Sequence, residues 1–182
     1  LGLIAADLRN PFYVDFFRRV QKSIGEMNYQ VLIADSEMDV GQEKENITLM
    51  RQHRAEGLII FPMHDWDEAS ELDHLVELRL QRFPFVIIGR IENYGFDWVT
   101  SEEHDTAYRL TQHLLELGHR RIGFVGTEPS NRCIHERMEG VQKALADAGL
   151  PLPPEHTVEH RDGWWEEMIA MLRRHDRPTG IV

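Results

Sequence analysis

Short apolar runs alternate with amphipathic helical periods along the whole of this 182-residue sequence. Strands that alternate with helices through short connections form βαβ units, in which the strands are parallel and the crossovers right-handed. The pattern therefore predicts an α/β fold with doubly wound parallel sheets. The candidate strands are residues 1–6, 30–35, 57–61, 83–88, 121–125 and 179–182.

Helical periods fill the intervals between these runs. The first is predicted to begin at Asn10 and Pro11, because Asn is a favoured N-cap and Pro is tolerated at the first helical position. Its apolar stripe contains Phe16 and Phe17, which we expect on the buried face. The other predicted helices are residues 42–53, 67–80, 104–117, 131–148 and 164–174.

Charge and cysteine content restrict the function classes. The sequence has 31 acidic and 20 basic residues and a net charge of −11, so this chain carries no basic footprint for nucleic acid. Its single cysteine, Cys133, excludes an intrachain disulfide and is compatible with a reducing compartment. No apolar run approaches the length of a membrane span.

Motifs of nucleotide, hydrolase or metal chemistry are missing from the sequence. Neither the dinucleotide pattern G-x-G-x-x-G after the first strand nor the phosphate-binding pattern G-x-x-x-x-G-K-[ST] occurs, and there is no G-x-S-x-G elbow. The ten histidines include no H-E-x-x-H motif. Cys133 is interpreted as an ordinary helix-face residue rather than a nucleophile. We therefore expect no enzyme activity, no cofactor and no metal site.

Binding residues are expected where parallel strands end, because ligands of such sheets lie outside the carboxyl ends of the strands. Phe12 and Tyr13 follow the first strand there, although Tyr13 also shares the apolar stripe of the first helix. Arg137 lies in the N-terminal half of the fifth helix with no carboxylate three or four residues away. It either contacts a polar ligand, is solvated, or is bridged to another element.

Both ends of the sequence favour a segment of a longer chain. The sequence begins without Met inside an apolar strand and stops at "PTGIV", where a β-branched run has barely started. A natural domain seldom begins and ends in mid-strand, since the exposed ladder would be unpaired. We therefore expect further residues on both sides.

Six motifs occur in order along the chain: "DLRNPFYVDFFRRVQ", "AEGLIIFP", "FPFVIIGR", "HLLELGHRRIGFVG", "ERMEGVQKALADAGL" and "RPTGIV". Together they closely resemble the effector-binding domain of LacI/GalR-family bacterial transcriptional repressors. The resemblance implies the type I periplasmic-binding-protein fold, with an effector bound between two similar α/β subdomains. Residues 1–118 would be the N-terminal subdomain, and residues 119–182 the first part of an incomplete C-terminal subdomain.

The resemblance also implies roles for particular residues. Phe12 and Tyr13 match aromatic positions after Asn-Pro that contact effector in several members of the family. Arg137 matches a recurrent effector ligand that precedes "x-x-G" in the fifth helix. Asn131 falls where another polar effector contact is common.

Two further positions match less closely. Glu102 stands where the family usually has Asp in a "V-x-x-D-N" pattern, which here reads "VTSEE", and Glu103 replaces the Asn. Glu102 is therefore either an effector contact or a helix N-terminal acid. Trp164 is the candidate for an aromatic side chain that the family often presents to the ligand, and it could equally pack in the core.

The resemblance implies the effector-sensing domain of a cytoplasmic transcriptional repressor. It would bind a small polar effector, such as a sugar or sugar-like polyol, with a purine or phosphorylated sugar compatible. Operator DNA would be bound by a homodimer through an N-terminal helix-turn-helix outside this chain, with no membrane association. The alternatives are a solute-binding protein of a sugar transporter, which has the same fold, and a nucleotide-dependent α/β enzyme.

Overall fold

The computed structural model describes residues 1–63, 72–126, 132–159 and 162–182. Contacts within this part of the chain divide it into two compact units, Leu1–Ser101 and Glu102–Val182. Each unit is built on its own parallel sheet. The predicted α/β class with two parallel-sheet subdomains is therefore confirmed.

The first unit contains a five-stranded parallel sheet. Its strands are β1 Gly2–Ala5, β2 Leu32–Asp35, β3 Leu58–Ile60, β4 Phe85–Ile88 and β5 Trp98–Val99. They lie in the order β2-β1-β3-β4-β5, so the direction of winding reverses between β1 and β3. Ligands of doubly wound sheets bind at such a reversal, outside the carboxyl ends of the strands.

Three helices connect these strands: α1 Pro11–Gly25, α2 Val40–Gln52 and α3 Asp73–Leu80. Asn10 caps α1 as predicted, since its side chain accepts a hydrogen bond from the Phe12 N–H at 3.0 Å. Asp39 caps α2 through the Gln42 N–H at 2.7 Å. The predicted start of α3 at Asp67 lies outside the described residues.

The core of the first unit is formed by the strands, α2 and α3. Its fully buried side chains include Ile4 of β1, Ile60 of β3 and Leu75 of α3. No side chain of α1 belongs to this cluster or is fully buried. Phe16 and Phe17 lie on the less exposed face of α1, but they are only half-buried and do not reach the core.

Strand β5 was not predicted from the sequence. It pairs with β4 through Ile87↔Trp98 and Ile88↔Val99. Both of its side chains are exposed. A two-residue edge strand without a buried side chain leaves no apolar run, which is the signal used to find strands.

The second unit contains a three-stranded parallel sheet in the order β7-β6-β8. The strands are β6 Ile122–Val125, β7 Thr157–Val158 and β8 Gly180–Ile181, and the helices are α4 Glu103–Glu116, α5 Arg132–Asp147 and α6 Trp164–Arg173. The two-residue strand β7, which follows a 3-10 turn at Pro154–His156, was also not predicted.

Helix α4 packs on α5 over an unusually short distance. A Cβ atom added to Gly140 would lie 2.2 Å from the His104 carbonyl oxygen and 3.1 Å from the Ala107 Cβ. The buried side chains of α4 are Glu103, Ala107 and Thr111, which lie on one helix face at four-residue spacing. Because α4 packs on α5, the compact units divide before α4, whereas the boundary expected from the sequence followed it at Gly118.

Candidate effector site

Aromatic rings gather where β1 and β3 of the first sheet end. Phe61 directly follows β3, and its ring centroid lies 4.9 Å from that of Tyr13 and 6.0 Å from that of Phe12, both in edge-to-face arrangements. Phe16 contacts the same ring at 5.0 Å. The cap by Asn10 fixes the start of α1, and this holds Phe12 and Tyr13 above Phe61.

The members of this ring cluster differ in exposure. Phe61 is 7% exposed and forms the base, whereas Phe12 is 57% exposed. Tyr13 is intermediate and contacts both rings. The cluster thus presents an exposed aromatic surface that a flat apolar face of a ligand could cover. Phe12 and Tyr13 are brought together as expected, and their predicted contact with effector stays a prediction.

A buried carboxylate holds the chain just beyond Phe61. Glu43 of α2 is fully buried, and its Oε2 atom accepts a hydrogen bond from the Met63 N–H at 2.6 Å. Its Oε1 atom lies 2.5 Å from Nε2 of His74 in α3. A buried carboxylate is tolerated only when it is hydrogen-bonded in this way. Glu43 therefore connects two helices to the segment that follows β3.

Arg137 lies on α5 in the second unit and pairs with Glu103. Its Nε atom donates a hydrogen bond to the Glu103 Oε2 atom at 2.5 Å. The partner comes from α4, 34 positions earlier in the sequence, so Arg137 is bridged to another element rather than unpaired. The spacing of Arg137 and Gly140 places both on the same side of α5, where the glycine allows the close approach of α4.

The thiol of Cys133 lies beside this ion pair. Burial raises the pKa of the Cys133 thiol, Glu103 raises it further, and Arg137 opposes these two effects. A raised pKa keeps the thiol protonated near neutral pH, and the protonated form is a weak nucleophile. The cysteine therefore has the character of a packing residue, as interpreted from the sequence.

The other predicted contact residues lie on or near the same edge of the second unit. Glu102 is the N-cap of α4, but its exposed side chain makes no capping hydrogen bond. Trp164 is the first residue of α6 after β7, and its half-buried ring packs edge-to-face on Trp165 at 5.6 Å. Asn131 lies outside the described residues. The effector contacts of all three stay predictions.

Two residues with clear structural roles were not singled out by the sequence. In the sequence Glu103 is distinguished only as a departure from a family pattern, yet it is the acid that reaches Arg137. Its spacing from Ala107 and Thr111 could have placed it on the packed face of α4. Phe61 ends an apolar run and carried no separate signal.

The described ranges lack two broader features, a cluster of metal ligands and a helix that could cross a membrane. No three His, Cys, Asp or Glu side chains there come together in a way that could hold a metal ion. No helix of those ranges is both long and apolar enough to cross a membrane.

Comparison with known proteins identifies relatives along the whole chain. The sequence is 25% identical over 185 residues to the transcriptional repressor PurR of Haemophilus influenzae and 27% identical over 188 residues to catabolite control protein A of Priestia megaterium. Each match covers 100% of this chain and 54% of the relative. The chain therefore spans about half the length of the curated relatives it matches.

Solved structures agree in fold. A protein assigned as a ribose operon repressor of Burkholderia thailandensis has a TM-score of 0.79 and 29% identity, covering 99% of this chain and 66% of that one. The Cra transcriptional dual regulator of Pseudomonas putida, in complex with fructose 1-phosphate, has a TM-score of 0.81 and 24% identity over the same shares. The second likeness bears on the fold alone.

Parallel sheets with polar and aromatic side chains at their carboxyl edges are typical of domains that bind small molecules. The family model for periplasmic binding proteins and the sugar-binding domain of the LacI family matches residues 1–181. The chain belongs to this family, as an effector-binding domain of the LacI type. The curated and structural relatives named above are transcriptional regulators, not enzymes.

Proposed function

We propose that this chain senses a small polyhydroxy effector for a DNA-binding transcriptional repressor. The observation that carries the proposal is Arg137, which Glu103 holds through Nε while its guanidinium stays partly exposed. A fixed guanidinium presents two parallel N–H donors that match a pair of neighbouring oxygen atoms. Vicinal hydroxyls of a sugar provide such a pair.

The ring cluster of Phe12, Tyr13, Phe16 and Phe61 supplies the complementary apolar contact. Sugars expose C–H faces as well as hydroxyls, and an exposed ring such as Phe12 can stack on such a face. Glu102, Asn131 and Trp164 are proposed as additional contacts from the second unit. The proposed ligand therefore combines a hydroxyl edge with an apolar face.

Operator binding and dimerisation are proposed for the whole protein. The relatives that support them are about twice as long as this chain, and the chain itself is strongly acidic. A DNA-reading segment outside this chain would supply the contacts to phosphate and bases. Effector binding would then change operator affinity through a coupling between the two sites.

The experiment is a thermal-shift screen of the purified protein against sugars, sugar phosphates and nucleobases, followed by calorimetric titration of the best ligand. The proposal expects at least one sugar to raise the melting temperature, because a ligand that binds only the folded state stabilises it. Arg137→Ala should weaken binding of that ligand about 10- to 100-fold through loss of charge-assisted hydrogen bonds. Absence of any stabilising sugar, or unchanged affinity of Arg137→Ala, would contradict it.

The transporter alternative has a distinct signature. The matching family model also covers periplasmic binding proteins, so the fold alone leaves it open. A helix-turn-helix in the residues that precede this chain in its gene would exclude it, and a secretory signal peptide there would favour it.

A further inference from the structure

The ion pair of Glu103 and Arg137 is asymmetric in exposure. The Glu103 side chain is 10% exposed, whereas that of Arg137 is 46% exposed. The carboxylate accepts from Nε, and the described residues give the two terminal guanidinium nitrogens no partner. Glu103 thus fixes the plane of the guanidinium through its Nε side. The opposite edge, formed by the two terminal nitrogens, remains available to bind a ligand.

This fixed edge could bind either two hydroxyls or two oxygens of a phosphate, because both present paired acceptors. Geometry alone therefore does not distinguish a neutral sugar from its phosphate ester. The charge around Arg137 does distinguish them, since a phosphate monoester brings up to two negative charges that need compensation.

The two described segments that carry the ion pair, residues 102–104 and 132–137, have no net positive charge. Residues 102–104 and 132–137 contain three carboxylates and two guanidinium groups. Glu103 lies 2.5 Å from Arg137, and Glu136 lies 2.5 Å from Arg132. Each of the two guanidinium groups of these segments is therefore already paired with a carboxylate, and Glu102 adds an exposed negative charge.

We propose that Glu103 is a specificity-determining and positioning residue that neutralises Arg137, so that the chain selects an uncharged polyhydroxy ligand over its phosphorylated counterpart. This inference rests on the proposed function, because it assumes that Arg137 contacts the ligand. Beyond the proposed function, the inference specifies the ligand class, an uncharged polyhydroxy compound, and the residue that determines this preference, Glu103. A phosphate would have to approach a buried carboxylate, and the resulting repulsion would cost affinity.

The experiment compares matched ligands on three proteins by isothermal titration calorimetry. The ligands are D-ribose and ribose 5-phosphate, D-fructose and fructose 1-phosphate, and inorganic phosphate. The proteins are the wild type, Glu103→Gln and Asp105→Asn. Glutamine keeps an acceptor for the Arg137 Nε but removes the charge. Asp105→Asn removes one charge from the same helix, where Asp105 forms an exposed ion pair with Arg109.

The wild type should bind the neutral sugar at least about tenfold more tightly than its phosphate ester. Glu103→Gln should shift that ratio toward the ester by about 10- to 100-fold, the contribution of one charged hydrogen-bond partner, and Asp105→Asn should leave it unchanged. Circular dichroism of each variant verifies that the comparison is made between folded proteins.

Three results would overturn the inference or separate it from the proposed function. A wild type that prefers the phosphate ester, or a ratio that Glu103→Gln leaves unchanged, refutes the role of Glu103 while the sensing function stands. If no sugar binds the wild type, the proposed sugar function fails for these ligands. Binding of inorganic phosphate then tests whether the charge of Glu103 disfavours a phosphate at Arg137. Phosphate must bind Glu103→Gln at least about tenfold more tightly than the wild type, and equal binding would refute the role of this charge.

Discussion

Gly140→Ala tests the close contact between α4 and α5 on which the Arg137 site depends. The added methyl carbon would lie 2.2 Å from the His104 carbonyl oxygen and 3.0 Å from the Tyr108 backbone nitrogen. A carbon and an oxygen atom in ordinary contact are roughly 3.3 Å apart. The two helices must therefore separate by about 1 Å, a shift that no side-chain rotation can replace because the nearest atom belongs to the backbone.

Two opposing effects determine how much Gly140→Ala changes the free energy of unfolding. Alanine is favoured over glycine inside a helix by about 1 kcal/mol. Forcing an extra methyl group into a packed interface costs about 1–3 kcal/mol, and a clash with backbone belongs in the upper half of that range. We therefore expect Gly140→Ala to lower the free energy of unfolding by about 1–2 kcal/mol.

Gly25→Ala is the matched control. Gly25 is the last residue of α1, and a Cβ atom added there would meet nothing within 4 Å. This substitution keeps the helix-propensity gain without the clash, so it should raise stability by up to about 1 kcal/mol. The two glycine-to-alanine changes are thus expected to have opposite signs.

Urea unfolding followed by far-ultraviolet circular dichroism measures both variants against the wild type. The midpoint should fall for Gly140→Ala and rise for Gly25→Ala. Equal or greater stability of Gly140→Ala would refute the close helix contact. A comparable loss in Gly25→Ala would show that the glycines matter for a reason other than packing.

Two further predictions concern other polar contacts of the described chain. Glu43→Ala should destabilise the first unit by about 3 kcal/mol in urea unfolding, because it leaves the partly buried His74 ring and the Met63 N–H without their acceptor, and Glu43→Gln should cost less. The hydrogen bond to Asp147 raises the pKa of Tyr108, so this contact stabilises the fold up to about pH 10 and is lost as pH rises through the raised pKa. Asp147→Ala should lower that pKa in an ultraviolet titration of tyrosinate, and an unchanged Tyr108 titration would contradict the contact.

Much of the fold could be predicted from the sequence because its signals are local. Alternating apolar runs and helical periods predicted the parallel sheets, and Asn10 with Pro11 predicted the start of α1. Gly118 and Gly149, which directly follow the predicted helices 104–117 and 131–148, have the positive φ values of left-handed residues. Each of these signals involves residues within a few positions of one another.

The candidate site depended more on packing. The sequence placed Arg137 near a ligand edge but could not identify its partner, since Glu103 lies on another helix and meets it only because Gly140 lets α4 approach α5. Phe61 likewise joins Phe12 through the neighbouring positions of β1 and β3 in the sheet. Periodicity and capping act over a few residues, whereas these contacts join residues 34 to 49 positions apart, and only the packing of complete elements brings such residues together.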